Sequence, residues 1–536
     1  MHVEYVQKRK GDKVYTYALV RQSYRDGKTV RKRTLANLSH LPAELVELIR
    51  RHLQGEAFVP ADQAVRVTCS VSHGAVFAIL TLMERLGVPQ LLGTRPRPWH
   101  RLVLGMIAAR LIQPGSKRFT CAWWRQTSLL RLLGLEGARV TVNDLYEAMD
   151  ALLQRQEAIE TKLAQRHLEE GSLVLYDLSS TYLEGHTCPL AAYGYSRDGK
   201  RGKRQFTYGL LTSREGCPVA ISVFAGNASD PTTVPAQIEK LRQRFGFERV
   251  VLVGDRGMIT RTRIEELERS GYGWITALRA PEIQRLAAEG CLQLSLFDER
   301  NLAEIEDPQR PDERLVVCRN PLVAEERRRK REELLQATEA QLEKVRRRVE
   351  QGRLVEPEAI ALAVGKVIDR WRMGKHLELQ IGPRHVAFRR KEESIQREAA
   401  LDGVYVIRTN VPAHDLAAEE VVAGYKSLRQ VERAFRSMKT MQLELRPVFH
   451  RLEDRVRAHT FLCMLAYYVQ WHLERQLRPL QEAEPETYGS LRLVLNRLAG
   501  IQLNTLEVGG VTLEQATVPD EIQQKILDHL GIQGLV

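Results

Sequence analysis

The segment Gly424-Tyr-Lys-Ser-Leu-Arg-Gln-Val-Glu-Arg-Ala-Phe-Arg-Ser-Met-Lys-Thr440 is the most informative part of this chain. It has no proline, few β-branched residues and many good helix formers, so we predict a helix. Steps of three and four residues place a set of side chains on one helix face: Tyr425, Leu428, Glu432, Arg436 and Lys439. One carboxylate among cations and a phenol suits a metal ligand whose neighbours bind phosphates. The alternative is an ordinary solvated helix with a Glu432–Arg436 pair.

The composition of the chain favours a polyanionic partner. The chain has 536 residues, a net charge of +13 and a pI of about 9.4, which indicates either nucleic acid or an anionic membrane surface as partner. The length predicts about three or four domains. There is no run of about eighteen apolar residues and the N-terminus is polar and basic, so we expect neither a membrane span nor a signal peptide.

The seven cysteines predict neither a zinc site nor a disulfide framework. They are scattered along the chain, without a Cys-x-x-Cys motif or a histidine pattern close to them in sequence. We therefore expect reduced thiols in a cytoplasmic protein.

Residues 1–60 are predicted to form a small basic module. Two strand-like runs, Val3–Gln7 and Val14–Val20, are accompanied by turn signals at Gly11 and Gly27. Ten Lys and Arg residues stand against three acids up to Arg33, a net charge of +7. This charge favours binding to the DNA backbone, and the alternative is a basic face that is merely solvated.

The remaining chain divides into five segments by its periodicity. Residues 61–170 are mainly helical, and we predict a domain for DNA-end binding or dimerisation. Residues 171–279 and 401–480 alternate between strands and helices, which predicts a mixed α/β sheet. Residues 280–400 interrupt this alternation with charged helices and a β hairpin, so we interpret them as an insertion domain. Residues 481–536 are predicted to be a C-terminal tail.

Three carboxylates in the α/β segments suggest a metal site. Asp177 and Asp255 each follow a short apolar strand, and ligand sites of α/β sheets favour the carboxyl ends of strands. Together with Glu432 they would supply only oxygen ligands, which suits Mg²⁺ or Mn²⁺ better than zinc. Two such ions about 3.5–4 Å apart can activate a water or a 3′-hydroxyl and stabilise the leaving oxygen of a phosphodiester. The alternatives are a turn cap at Asp177 and a pair between Asp255 and its neighbour Arg256.

The sequence resembles the DDE transposases of bacterial insertion sequences, which have a ribonuclease H-like core. Leu175-Tyr-Asp177-Leu-Ser-Ser-Thr181 and Val251-Leu-Val-Gly-Asp255-Arg-Gly-Met258 resemble the strands of the two aspartates. The helix resembles the signature Tyr-x2-Arg-x3-Glu-x6-Lys at Tyr425, Glu432 and Lys439. The arginine of the signature is replaced by Leu428, and Arg429 or Arg436 could substitute for it.

The resemblance implies a function, a cofactor and partners. Asp177, Asp255 and Glu432 would bind two Mg²⁺ (or Mn²⁺) ions per active site and catalyse DNA cleavage and strand transfer. The DNA-contacting residues would be Tyr425, Arg429, Arg436 and Lys439. A homodimer on double-stranded DNA, both transposon ends and target, is expected, associated with the nucleoid. The alternatives are a ribonuclease H-like DNA nuclease without joining activity and an inactive DNA-binding protein derived from a transposase.

Overall fold

The computed structural model describes residues 1–58, 65–185, 187–197, 199–200, 202–293, 301–508 and 511–535. They form two compact units. The first comprises residues 1–71 and 501–518, and the second comprises residues 72–500 and 519–535. The predicted boundary between residues 60 and 61 lies outside the described residues.

The first unit contains two three-stranded sheets. Strands β1 (His2–Lys10), β2 (Lys13–Asp26) and β3 (Thr29–Asn37) form an antiparallel meander, as the alternating sequence and the two glycine turns predict. The helix Ala43–Leu53 follows, and Val46 of this helix packs with Ala18 and Leu38 in a small core.

The second sheet of the first unit joins distant parts of the chain. Strand β4 (Val65–Ser72) pairs with the hairpin of Gln502–Val508 and Val511–Ala516. The prediction of a separate tail over residues 481–536 is therefore wrong for this hairpin. Strand pairing over more than four hundred residues leaves no local sequence signal, since the partner of an edge strand is decided by tertiary contacts.

The second unit starts with a helical layer. Its helices are amphipathic or buried on all sides, as the spacing of apolar residues predicts. Thr141 caps one of them through a capping box with Asp144. The helices span Gly74–Arg85, Val88–Leu92, Pro98–Ile112, Lys117–Trp124, Leu129–Leu132, Val142–Gln154 and Gln156–His167.

An eight-stranded mixed sheet forms the centre of the second unit. The strands are β5 (Leu173–Tyr182), β6 (Gln205–Ser213), β7 (Pro218–Ala225), β8 (Val251–Val253), β9 (Gly273–Ala277), β10 (Leu302–Ile305), β11 (Arg314–Arg319) and β14 (Val404–Thr409). Their order in the sheet is β10-β11-β14-β9-β8-β5-β6-β7, in which only the β9–β8 and β8–β5 pairs are parallel. The prediction of a mixed α/β sheet is confirmed.

Three helices connect β7 to β8, β8 to β9 and β9 to β10 along the chain. They span Asp230–Glu239, Arg261–Arg269 and Ala280–Ala288, and the first of them continues as a π-helical turn over Lys240–Arg244. Glu160 of the preceding helical layer is completely buried, and Lys240 and Arg244 both donate to its carboxylate. This pairing removes the cost of burying an isolated charge.

The segment inserted into the sheet is shorter than predicted. Strands β10 and β11 lie within residues 280–400 but belong to the sheet, so the interruption runs from about 320 to 403. It consists of the helices Pro321–Glu350, Pro357–Trp371 and Glu392–Ala400, a 3₁₀ turn at Gly374–His376, and the hairpin of β12 (Leu377–Gly382) and β13 (His385–Arg390). Leu342 and Val349, which stand seven residues apart in the first of these helices, pack in its core.

A long helix, Glu453–Ala483, packs beneath the sheet and the helical layer. Its residues 458–470 are all buried, as the nearly continuous apolar sequence predicts. The chain then forms the helices Pro485–Tyr488 and Leu491–Ala499, the hairpin of β15 (Gln502–Val508) and β16 (Val511–Ala516), and the helix Glu521–His529. Within the described residues, none of the helices combines the length and the apolar character needed to cross a membrane.

Candidate active site

The parallel pairing of β5 with β8 places the two predicted aspartates at the same level. Leu173 pairs with Val251 and Leu175 with Val253, where the pairing ends. Asp177 and Asp255 each stand two residues beyond this last pair. The predicted strand end at Asp177 is wrong, because β5 continues to Tyr182 by pairing with β6. Strand β8 stops at Val253, however, so the edge of β5 beside Asp177 is left open.

The Glu432 segment is not one continuous α-helix. It forms the helices Ala418–Lys426 and Leu428–Arg436, separated at Ser427, and ends as a π-helical turn over Ser437–Met441. Val431, Ala434 and Phe435 face the protein interior, and the Phe435 ring meets the Tyr208 ring edge-on at 5.4 Å. Glu432 stands on the opposite, exposed face.

The three predicted acids line one cavity of about 520 Å³. The cavity lies where β5, β8, β11 and β14 approach the Glu432 segment. Its lining consists of Asp177, Asp255, Cys318, Asn320, Tyr405, Ile407, Tyr425, Lys426, Leu428, Arg429 and Glu432. Residues that are as far apart in the chain as 177 and 432 are therefore neighbours in the fold.

The surroundings of Asp177 in this cavity strongly shift the pKa of its carboxyl group. Burial, followed by the negative charges of Asp255 and Glu432, raises the pKa of the Asp177 carboxyl to about 7. The backbone N–H of Leu178, which donates to Asp177 Oδ1 at 2.7 Å, partly opposes this rise. Like charges around a partly buried carboxylate favour its protonated form, and a bound cation would reverse this preference.

Tyr425 connects the helix to the second aspartate. Its phenol donates a hydrogen bond to Asp255 Oδ1 at 3.3 Å. Burial and the charge of Asp255 raise the pKa of Tyr425, so the phenol remains a hydrogen-bond donor at neutral pH. This contact orients the exposed Asp255 carboxylate towards the cavity.

Two of the three predicted DNA-contacting cations share a cavity, and the third does not. Arg429 lines the acid cavity and also an adjoining cavity of about 510 Å³, which Arg436 lines as well. Lys439 lies in the π-helical turn, is only 7% exposed and lines neither cavity. The π turn changes the rotation per residue, so the α-helical spacing used to predict a common face no longer applies there.

The carboxylates fit divalent ions such as Mg²⁺ or Mn²⁺. All three offer oxygen donors, and the charges of Asp255 and Glu432 add to burial in raising the pKa of Asp177. Among the described residues, the three acids do not form a compact cluster around one point in the way that His167, Cys217 and His472 do.

Four polar residues of the cavity were not singled out from the sequence. Cys318 lies in β11 and Asn320 directly follows that strand, whereas Tyr405 lies in β14; these two strands flank the inserted segment. No local motif marks them, because the sheet order alone brings them here. Lys426 adjoins Tyr425 and could have been found by asking which cations border the predicted face. Asn320 also caps the first inserted helix by accepting from the N–H groups of Leu322 and Val323.

Comparisons with known proteins give two family matches. The family model described as the transposase DDE domain matches residues 171–469, and the model of the IS1634 family transposase N-terminal domain matches residues 3–62. No curated protein matches the chain. Among solved structures, a cryo-EM structure of the piggyBac transposase synaptic complex with hairpin DNA shows a TM-score of 0.35 and 8% identity, with 79% of this chain and 76% of that chain covered.

Proposed function

The chain belongs to the DDE transposases of bacterial insertion sequences, and from this premise we propose that it binds transposon ends and catalyses metal-dependent cleavage and strand transfer of DNA. The observation that carries the proposal is the cavity shared by Asp177, Asp255 and Glu432. The mixed sheet supports a ribonuclease H-like core, since three antiparallel strands, β7-β6-β5, are followed by the parallel strands β8 and β9.

Asp177, Asp255 and Glu432 would hold two Mg²⁺ or Mn²⁺ ions. Bound there, the ions would lower the pKa of the attacking hydroxyl and offset the charge that develops on the leaving oxygen. Asp177 loses its proton on binding, because its raised pKa leaves it about half protonated near neutral pH. Tyr425 holds the Asp255 carboxylate in place through its O–H donor.

The proposed chemistry consists of two displacements at phosphorus. In cleavage, a water oxygen forms a bond to the phosphorus at the transposon end, and the bond to the 3′-oxygen breaks to release a 3′-hydroxyl. In strand transfer, this 3′-hydroxyl attacks a phosphodiester of the target, and the target 3′-oxygen leaves with the proton. Lys426 and Arg429 line the cavity and supply positive charge to bind the phosphate. Arg436, in the adjoining cavity, suits a phosphate further along the strand.

The parts outside the α/β sheet have proposed roles in binding DNA. The basic first sheet fits the phosphate backbone, and its match to a transposase N-terminal domain supports this role. The helical layer of residues 72–170 is a candidate for contacts to the DNA end or to a second subunit. We propose a homodimer that holds two ends, with the inserted segment covering the bound end.

A cleavage assay on double-stranded DNA carrying the element ends tests the proposal. Asp177→Ala, Asp255→Ala and Glu432→Ala should each abolish Mg²⁺-dependent cleavage and retain DNA binding, because binding depends on other surfaces. Glu419→Ala is the matched control, since Glu419 is an exposed acid in the first turn of the preceding helix. Normal cleavage by one of the three variants would exclude that acid from catalysis.

The same assay separates the two alternative functions. With a pre-cleaved end and target DNA, a transposase forms joined products, whereas a ribonuclease H-like nuclease only hydrolyses DNA. An inactive derivative would bind the ends and cleave nothing in either Mg²⁺ or Mn²⁺. We favour the transposase because the chain belongs to a transposase family and because all three acids, one or more of which an inactive derivative could lack, border one cavity.

A further inference from the structure

A second group of potential metal ligands lies outside the acid cavity. His167 ends the helix Gln156–His167, Cys217 directly precedes β7, and His472 lies in the long helix Glu453–Ala483. One ligand atom of each residue lies within 4.8 Å of those of the other two. Cys217 is only 1% exposed, and both histidines are partly buried. None of these residues lines the cavity of the three acids.

The hydrogen bonding of this group is incomplete. In the described part of the chain, the buried Nε2 atom of His472 has no hydrogen-bond partner. A buried polar atom without a partner is costly, so such atoms are uncommon and call for an explanation. The Nε2 atom of His167 contacts the Tyr468 hydroxyl at 3.1 Å. A hydrogen bond from one ring nitrogen to a neighbouring group is how metal-binding histidines are usually oriented.

We propose that His167, Cys217 and His472 bind one Zn²⁺ ion. A thiolate and two imidazoles form a ligand set that suits zinc and disfavours Mg²⁺. Tetrahedral coordination with normal Zn–S and Zn–N bonds places such ligand atoms about 3.3–3.6 Å apart. The group therefore closes around an ion by shifts of about 1 Å, within the reach of side-chain rotation. A water molecule completes the fourth position.

The protonation and charge of the surroundings are compatible with this ion. Burial lowers the pKa of His472 to about 4, so its imidazole is neutral and can act as a ligand at pH 7. Burial raises the pKa of the Cys217 thiol, so this proton leaves only when a cation takes its place. The carboxylate of Glu215 lies close enough to act on both His167 and Cys217, and it partly offsets the nearby charges of Arg166 and Arg475.

The ion would join three separate elements of the second unit. It connects the end of one helix, the turn between β6 and β7, and the long buried helix. Strand β6 pairs with β5 opposite Asp177, which pairs with Leu210. A zinc ion at this position would link the hairpin that supports the strand of the first catalytic acid to both helices. It is chemically distinct from the oxygen-only site, where Mg²⁺ is the expected ion.

Zinc content of the full-length protein tests the proposal. The protein is stripped with a chelator, equilibrated with Zn²⁺ in excess Mg²⁺, and freed of loose ions before elemental analysis. We expect about one Zn²⁺ per chain in the wild type and at least a tenfold loss in Cys217→Ala and His472→Ala. Cys188→Ala is the control, because Cys188 is another buried free thiol. Asp177→Ala should also keep its zinc, so a failed catalytic assignment does not affect this result.

A spectroscopic measurement on the wild type avoids variants that fail to fold. X-ray absorption at the zinc edge should show one sulfur ligand and two nitrogen ligands, and a Co²⁺-substituted protein should show a thiolate-to-cobalt charge-transfer band. Zinc should also raise the melting temperature of the wild type and of Cys188→Ala. The proposal is overturned if the wild type retains no Zn²⁺, or if its zinc has only oxygen and nitrogen ligands.

Discussion

Asp177 occupies the most unusual electrostatic position among the catalytic candidates. It lies in a buried strand, it accepts from the N–H of Leu178, and it shares its cavity with Asp255 and Glu432. Its pKa of about 7 compares with about 3.9 for an unperturbed aspartate. Between about pH 4 and 7, the Asp177 carboxyl is therefore protonated in the folded, metal-free protein and ionised in the unfolded chain. This group makes the metal-free protein less stable as the pH rises through that range.

Metal affinity should depend on pH through the same carboxyl. Binding must displace the proton of Asp177, so we expect the apparent Mn²⁺ affinity to rise by roughly tenfold per pH unit below 7 and to level off above it. Calorimetric titration between pH 5.5 and 8.5, values chosen at about 1.5 units on either side of 7, measures this dependence. Asp177→Asn, which cannot titrate, should bind weakly and lose the dependence. An affinity that is flat over this range in the wild type would contradict the prediction.

The Tyr425 hydroxyl should matter for catalysis more than for DNA binding. Tyr425→Phe removes the donor to Asp255 and keeps the ring, so we expect cleavage to slow by roughly tenfold, in line with the removal of a group that orients a metal ligand. Tyr405→Phe is the control, because Tyr405 lines the same cavity. Its ring, which the variant keeps, has Arg327 over it at 5.5 Å, so this change also removes only a hydroxyl. Equal effects of the two changes on the cleavage rate would exclude the positioning role of Tyr425.

At the scale of elements, the position of Glu432 depends on how its segment packs on the sheet. Gly424 lies in the helix Ala418–Lys426, and a Cβ atom there would lie 3.1 Å from Leu173 Cδ1 and 3.5 Å from Ile275 Cδ1. These side chains belong to β5 and β9, on either side of β8. The absence of a side chain at Gly424 thus lets the helix approach the strands closely enough to bring Tyr425 and Glu432 over the aspartates.

A large side chain at position 424 should therefore disturb both stability and the site. Gly424→Leu forces an overpacked arrangement against Leu173 and Ile275, so we expect a decrease of about 1–3 kcal/mol in the free energy of unfolding, together with weaker Mn²⁺ binding. Denaturant unfolding monitored by circular dichroism measures the stability. Ala423→Leu is the control, because Ala423 is the neighbouring exposed residue of the same helix. Similar decreases in the two variants would show that the close packing at Gly424 has no special role.

In the whole molecule, the basic first sheet and the acid cavity belong to different units. The acids lie in the second unit, whereas the first sheet of the first unit carries ten basic residues up to Arg33 and is exposed over all of β3. A polyanion that binds this basic sheet gains affinity mainly by releasing counterions, and this contribution depends on salt but not on base sequence.

Neutralising cations of the first sheet should change the salt dependence of DNA binding. For the triple variant Lys8→Gln, Lys10→Gln and Lys13→Gln we expect weaker binding and a smaller slope of log affinity against log salt, reduced by about one for each phosphate that the variant no longer neutralises. The control removes the same charge elsewhere: Arg478→Gln, Arg497→Gln and Lys525→Gln. Fluorescence anisotropy over a salt series provides the measurement. If both triple variants reduce the slope equally, the effect comes from net charge and not from the first sheet.

Reading the sequence alone was sufficient to predict the local features of this protein. It identified the family, the mixed α/β sheet and the helix that carries Glu432, because strand and helix periodicity, turn residues and the spacing from Tyr425 to Glu432 are local properties. It also selected Asp177 and Asp255, which follow apolar strands. The convergence of these acids on one cavity could not be read from spacing.

Which distant residues become neighbours depends on the three-dimensional fold. The register of β5 against β8 places the two aspartates at the same height in the sheet. The π-helical turn separates Lys439 from the predicted helix face. The sheet order brings Tyr405 to the cavity. Likewise, Cys217 has no metal-binding motif near it in sequence, yet folding places it beside two histidines. The physical reason is that strand pairing and helix packing act between surfaces, and the energy of packing two surfaces together depends on fitted side chains rather than on separation along the chain.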